Sequence, residues 1–168
     1  MTDEYKKNWP LSDEFLIELG RLSALWGSLE GALNFAIGKL AGFSDLEDPI
    51  PFILVVHSSF QQRLDILGSL CEQRLPDYPR LKNYKDVTSK IKAAQTLRNK
   101  FTHNSISPDE DFKKYFLVSG SARSSLKTSV KEVNTIEIHN ACREIHIASL
   151  LLHELVTGKK YEPIWDRS

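Results

Sequence analysis

The sequence predicts an all-α protein, a four-helix antiparallel bundle with a small β-hairpin or loop insertion before the last helix. Three observations carry this expectation. Apolar residues recur at alternating spacings of three and four along four separate stretches, the period of a helix with one buried face. Turn-forming residues separate the first three stretches, among them Gly42, Pro49, Pro51 and the run "LPDYP". Between residues 104 and 133 the helical period is lost.

The first helix is expected over residues 12–41, with Phe15, Leu19, Leu22, Trp26, Leu29, Leu33, Ala36 and Leu40 as its buried stripe. Ser12 is suited to cap it, and Asp13 and Glu14 fall in its first turn. On nearly the opposite face Gly20, Ala24, Gly27, Gly31, Asn34 and Gly38 form a second seam. Glycine costs a helix about 1 kcal/mol relative to alanine, so the seam implies close approach of another backbone. That backbone belongs either to the same monomer or to the same helix of a second chain, and both readings stay open.

A second helix is expected through Ile53, Val56, Phe60, Leu64, Leu67 and Cys71. A third, over 81–102, has its stripe at Tyr84, Val87, Ile91, Ala94, Arg98 and Phe101. The segment "KKYFLVSGSARSSLKTSV" predicts two short strands around a Ser/Gly turn, a hairpin on the surface. The last helix begins at Asn134, with Glu137 placed as in a capping box, and buries Ile138, Cys142, Ile145, Ser149, Leu152 and Val156 before Gly158 stops it. The chain, 1–168, is thus expected as one helical domain, with 104–133 as the insertion and 159–168 as a tail.

Composition narrows the function classes. Lys+Arg and Asp+Glu are both 22, so the formal net charge is zero, and any nucleic-acid partner must be engaged locally rather than by an overall basic field. Cys71 and Cys142 fall on apolar helix faces, where free thiols behave as small hydrophobes, which points to a reducing, cytoplasmic setting. No apolar run approaches the ~20 residues that span a bilayer, and no signal core opens the chain, so a soluble protein without a membrane partner is expected. His139, His146 and His153 recur every seven residues on the last helix. Their rings would lie about 10 Å apart, too far for one metal ion, and no Gly-rich phosphate loop is present, so neither metal nor cofactor is expected.

The segment "TLRNKFTHNSI" is the exception to the bundle pattern. Arg98 sits in the middle of an apolar stripe and therefore needs a partner: a carboxylate, carbonyls or an external anion. Glu30, at the edge of the Trp26/Leu33 stripe, is the candidate carboxylate. Asn99 and His103, four apart, share an adjoining flank where the amide can fix the imidazole tautomer. The helix ends just after His103, so the ring is expected at a carbonyl-rich terminus that favours its protonated form. A permanent cation beside a histidine suits phosphodiester chemistry, with charge stabilisation plus proton transfer. A buried Arg98–Glu30 brace with His103 as a plain surface residue fits the spacing as well.

The residues "LRNKFTHN" resemble the signature of the HEPN superfamily, an Arg followed by a polar residue, usually Asn, and closed by His after four intervening residues. "LSALWGSLEGALNFAIGKL" is similar to the first helix of the single-domain prokaryotic members, with Trp26 and Glu30 in matching places. The resemblance implies an all-α bundle, commonly a homodimer, in which the Arg and His of both chains meet in a cleft and cut RNA without metal. It places Arg98, Asn99 and His103 in the catalytic roles, with Glu30 supporting. Many members are toxins or phage-defence effectors, which makes an antitoxin protein a further expected partner. A subgroup silenced by nucleotidylation carries Tyr two places after the His; here that position is Ser105.

RNA contact is expected along the third helix, where Arg80, Lys82, Lys85, Lys90, Lys92, Arg98 and Lys100 are opposed only by Asp86. Acidic residues gather instead on the first helix and its following loop: Asp13, Glu14, Glu18, Glu30, Asp45, Glu47 and Asp48. Lys92 and Lys100 are the nearest basic contacts to the motif, and Arg143 with His146 are auxiliary candidates on the last helix. The function expected is a metal-independent endoribonuclease that uses the substrate's own 2′-hydroxyl as nucleophile. The alternative is a non-catalytic helical module that binds a protein partner or nucleotide through the same cluster.

Overall fold

The structure, a computed structural model, describes residues 9–43, 45, 48–111, 113–121 and 127–167. Glu47 and residues 122–126, where the sequence places part of the expected turn, lie outside these. In chain order the elements are α1 Asp13–Leu40, α2 Ile50–Val55 and α3 Phe60–Arg74. A 3-10 turn, Pro79–Asn83, leads into α4 Tyr84–Thr102. Strands β1 Ser105–Pro108, β2 Tyr115–Ser121 and β3 Lys127–Val133 follow, and α5 Thr135–Thr157 closes the fold.

Five helices and a three-stranded antiparallel sheet make this a mixed α/β protein, which corrects the all-α expectation. The expected hairpin is β2 and β3, paired from Tyr115↔Val133 to Ser121↔Lys127. A third strand, β1, adds to the free edge of β2 with Ile106 opposite Leu117. The hairpin lies largely on the surface, with Val118 and Val130 exposed, while Leu117 and Val133 reach into the core shared by the helices. Tyr115 packs its ring 4.5 Å from that of Phe15 and accepts a hydrogen bond from the Ser12 amide. The sheet thus closes the end of the bundle where α1 begins.

The second correction concerns the second helix. Ile53 and Val56 keep the helical period with Phe60, yet the helix breaks between them and both are exposed. Ser59 starts α3 anew: its hydroxyl accepts from the Gln62 amide, and the Gln62 side chain accepts from the Ser59 amide.

The break has a topological consequence, because the segment after α1 doubles back before α3 starts. Trp26 meets Phe60 with rings 4.6 Å apart, Glu30 meets Arg63, and the Leu40 carbonyl accepts from Arg74 Nε at 3.0 Å. Rising residue numbers pair with rising residue numbers, so α3 runs parallel to α1 and not antiparallel. α5 is parallel to α1 too, since Glu14 contacts Thr135 and Glu18 contacts Cys142. Of the four long helices α4 alone runs the other way: Glu72 of α3 bonds Tyr84 at its start, and Lys100 near its end reaches Glu137 at the start of α5.

α2 packs on α1 where Gly38 clears the way. A Cβ there would stand 2.8 Å from the Pro51 side chain, so glycine is required by the contact. Gly20, Gly27 and Gly31 are different, with nothing within 4 Å of where a Cβ would be. Crowding inside the monomer does not explain them. The predicted ends hold, with Ser12 and Asn134 accepting from Phe15 and Glu137 amides and Gly158 left-handed at φ 73°. No helix among the described residues is long and apolar enough to cross a membrane.

Candidate functional site

α4 reaches its last turn beside the middle of α1, at the level where α3 starts. Because α3 starts only at Phe60, opposite Trp26, it leaves the end of α4 open to solvent. Arg98 projects from the stripe formed by Val87, Ile91, Ala94 and Phe101, all buried, but is itself only half buried. Its guanidinium lies over the buried Trp26 indole, 5.4 Å from the ring centroid, a cation–π contact that holds the fork in one place.

One guanidinium nitrogen, Nη1, donates to Asn99 Oδ1 at 3.1 Å and to His103 Nε2 at 2.9 Å. Arginine has no lone pair to offer, so Nε2 is the acceptor and the ring proton sits on Nδ1. At this end of α4 the carbonyls of Arg98, Asn99 and Lys100 accept from the Thr102 hydroxyl, the His103 amide and the Asn104 side chain. Asn99 differs from its expected role, since its amide holds Arg98 and not the imidazole.

Glu30 does not reach Arg98. Its carboxylate takes Arg63 Nη2 at 2.7 Å, and Asn34 Oδ1 accepts from the other arginine nitrogen, Nη1, at 3.0 Å. Arg63 lies 5.7 Å from the centre of the Phe60 ring, next to Trp26. Among the described residues no carboxylate comes within ion-pair distance of Arg98. Sequence reasoning missed Arg63 and Phe60 because their helix was drawn through the Ser58–Ser59 break. The pattern Ser59-x-x-Gln62 was the available signal.

The auxiliary basic residues separate. Lys92 is exposed on the outer face of α4, beside a shallow depression shared with Asp65, Glu72 and Lys85. Lys100 is committed to Glu137 at 2.6 Å. Arg143 and His146 are not brought to Arg98; the chain after α5 folds back over them. Trp165 stacks 4.1 Å from the Arg143 guanidinium carbon, and the Ile164 amide donates to His146 Nε2 at 3.2 Å. Burial and the nearby Arg167 hold His146 below the ordinary imidazole value.

Chemically, the cluster offers one oriented cation, an imidazole within reach of it, and an exposed approach. Comparison of the chain with protein families, with curated proteins and with solved structures finds no match. The functional reading therefore rests on this geometry.

Proposed function

We propose that the protein is a metal-independent endoribonuclease of the HEPN type. The observation that carries the reading is Arg98: a guanidinium held on the Trp26 face, bonded to His103 Nε2, and without a carboxylate partner among the described residues. A scissile phosphate takes the place of the imidazole on Nη1. That frees Nε2 to accept the proton of the adjacent 2′-hydroxyl as its oxygen attacks phosphorus. The P–O5′ bond breaks, the 5′-oxygen takes a proton from water, and a 2′,3′-cyclic phosphate remains. Asn99 keeps Arg98 in register. Glu30 supports the site at one remove, by holding Arg63 beside Phe60 and Trp26.

Single-stranded or loop RNA is the substrate class, because its backbone can turn the 2′-hydroxyl into line. The setting that goes with this reading is the cytoplasm, with a second copy of the chain as partner and an antitoxin where cleavage is toxic. The second reading, a non-catalytic module with the same cluster as an anion socket, draws support from one feature: at rest the base lone pair is already occupied by Arg98.

Incubation with single-stranded RNA in EDTA separates the two. Under the enzyme reading the wild type yields 2′,3′-cyclic ends, and His103→Ala slows cleavage by about 10²-fold or more with an unchanged melting curve. RNA left intact by the wild type, or cut as fast by His103→Ala, overturns the enzyme reading.

A further inference from the structure

Where α1 ends, the chain encloses a cavity of about 670 Å³, within the size range of small-molecule sites. The last turns of α1, the loop after them, the start of α2, the 3-10 turn and the end of α5 all contribute to it. α4 puts about 20 Å between the 3-10 turn and Arg98, so this is a separate place on the molecule.

The backbone builds its walls. Gly42, left-handed at φ 102°, turns the chain after α1, and the Phe43 amide donates back to the Gly38 carbonyl at 3.1 Å. That turn fixes Phe43 in the lining. Pro51 rests on Gly38 and brings Phe52 to the open side, where it is 54% exposed. Arg80 ties the 3-10 turn to the end of α5, with Nε donating to the Leu155 carbonyl at 3.3 Å and Nη2 to that of Val156 at 2.9 Å.

The lining carries rings and both signs of charge. Phe35, Phe43, Phe52 and Tyr78 supply the rings. Lys39 and Arg80 supply the cations, Lys39 Nζ 5.7 Å from the centre of the Phe35 ring and the Arg80 guanidinium carbon 4.8 Å from that of Tyr78. Among the described residues neither cation has a carboxylate within ion-pair distance. Asp45 and Asp48 supply the carboxylates, and Asp48 spends Oδ1 on the Ile50 amide at 2.9 Å.

We propose that this cavity binds a free aromatic amino acid. Its carboxylate goes to Lys39 and Arg80, its ammonium to the side of Asp45 and Asp48, and its ring among the four aromatic side chains. The charges select this class. A ring bearing only an anion would be opposed by the two carboxylates, and one bearing only a cation by Lys39 and Arg80. An uncharged apolar ligand would take charged groups out of water and pair none of them. A zwitterion answers both signs at once. The proposal rests on this cavity alone and is independent of the ribonuclease reading.

Isothermal titration calorimetry of the full chain with L-phenylalanine, L-tyrosine and L-tryptophan tests it. At least one should bind saturably at one site per chain, with a Kd of about 1 mM or tighter. Analogues of that ligand lacking the ammonium or the carboxylate, phenylpropionate and phenethylamine in the case of phenylalanine, should each bind about tenfold more weakly. Lys39→Gln and Phe52→Ser, both at exposed positions, should each weaken binding about tenfold at an unchanged melting temperature. These two variants leave intact the carbonyl contacts by which Arg80 ties down α5. Absence of saturable binding by all three amino acids up to about 10 mM overturns the proposal. So does an analogue of single charge that binds as tightly as the amino acid, or binding that both variants leave unchanged.

Discussion

Exchanging Glu30 for Gln and Arg63 for Met, singly and together, probes which arginine the carboxylate serves. The Arg63 side chain is 13% exposed and that of Glu30 35%, so the pair lies between the exposed and buried regimes. Exposed pairs contribute up to about 1 kcal/mol, whereas breaking a buried pair costs about 3 to 5 kcal/mol. Arg63 keeps Asn34 as an acceptor when Glu30 is lost, but its buried Nε has no hydrogen-bond partner among the described residues, so little else compensates. Glu30→Gln should therefore cost about 2 kcal/mol, or roughly 4 to 8 °C in Tm for a chain of this size. Urea unfolding of the four proteins should give a coupling energy of about 1 to 2 kcal/mol. The same cycle with Arg98→Met in place of Arg63→Met should be additive to within about 0.5 kcal/mol. Coupling of Glu30 to Arg98 as large as that to Arg63 would refute the pairing and restore the buried brace.

Three further outcomes follow from local geometry. Gly158→Ala forces a Cβ into left-handed backbone at φ 73° and should lower stability by about 1 kcal/mol in urea unfolding. Cys71 and Cys142 are pushed up to about 11 by burial, so a thiol reagent at pH 8 should modify neither until denaturant is added. His146 is held below its ordinary value in the folded chain, so the unfolded or undocked ring binds the proton more readily. The Ile164–His146 contact should accordingly be intact at neutral pH and be lost as pH falls below about 6.5. Trp165 emission, measured as the difference from Trp165→Phe, should shift to the red over that range and lose its pH dependence in His146→Phe.

How much of this was legible in the sequence depends on whether a contact stays within one helix. Arg98, Asn99 and His103 lie on a single α4, so the 3.6-residue period alone brings them together, and the buried stripes of α1, α4 and α5 follow the same rule. Trp26 and Arg63 reach the site from other helices, and nothing in α4 announces them. The direction of α3 was illegible for a sharper reason. Periodicity is blind to a break that keeps register, and Ile53, Val56 and Phe60 keep it across Ser58–Ser59. A capping box read at Ser59 and Gln62 would have ended one helix and begun another. β1 escaped notice because "SISP" offers one apolar residue and becomes a strand only beside β2.

The parallel course of α1, α3 and α5 also sets the electrical polarity of the site. Each helix presents a partial positive charge at its N-terminus, and in α1 and α5 acidic side chains in the first turn offset it: Asp13 and Glu14 in one, Glu137 in the other. α3 has no acidic residue in its first turn. Its N-terminus, at Phe60, and the Arg98 guanidinium both rest against the Trp26 indole. Of the three parallel helices α3 alone thus keeps its N-terminus without an acidic counterpart, and an anion arriving at Arg98 would be met by that backbone field as well as by the side chain.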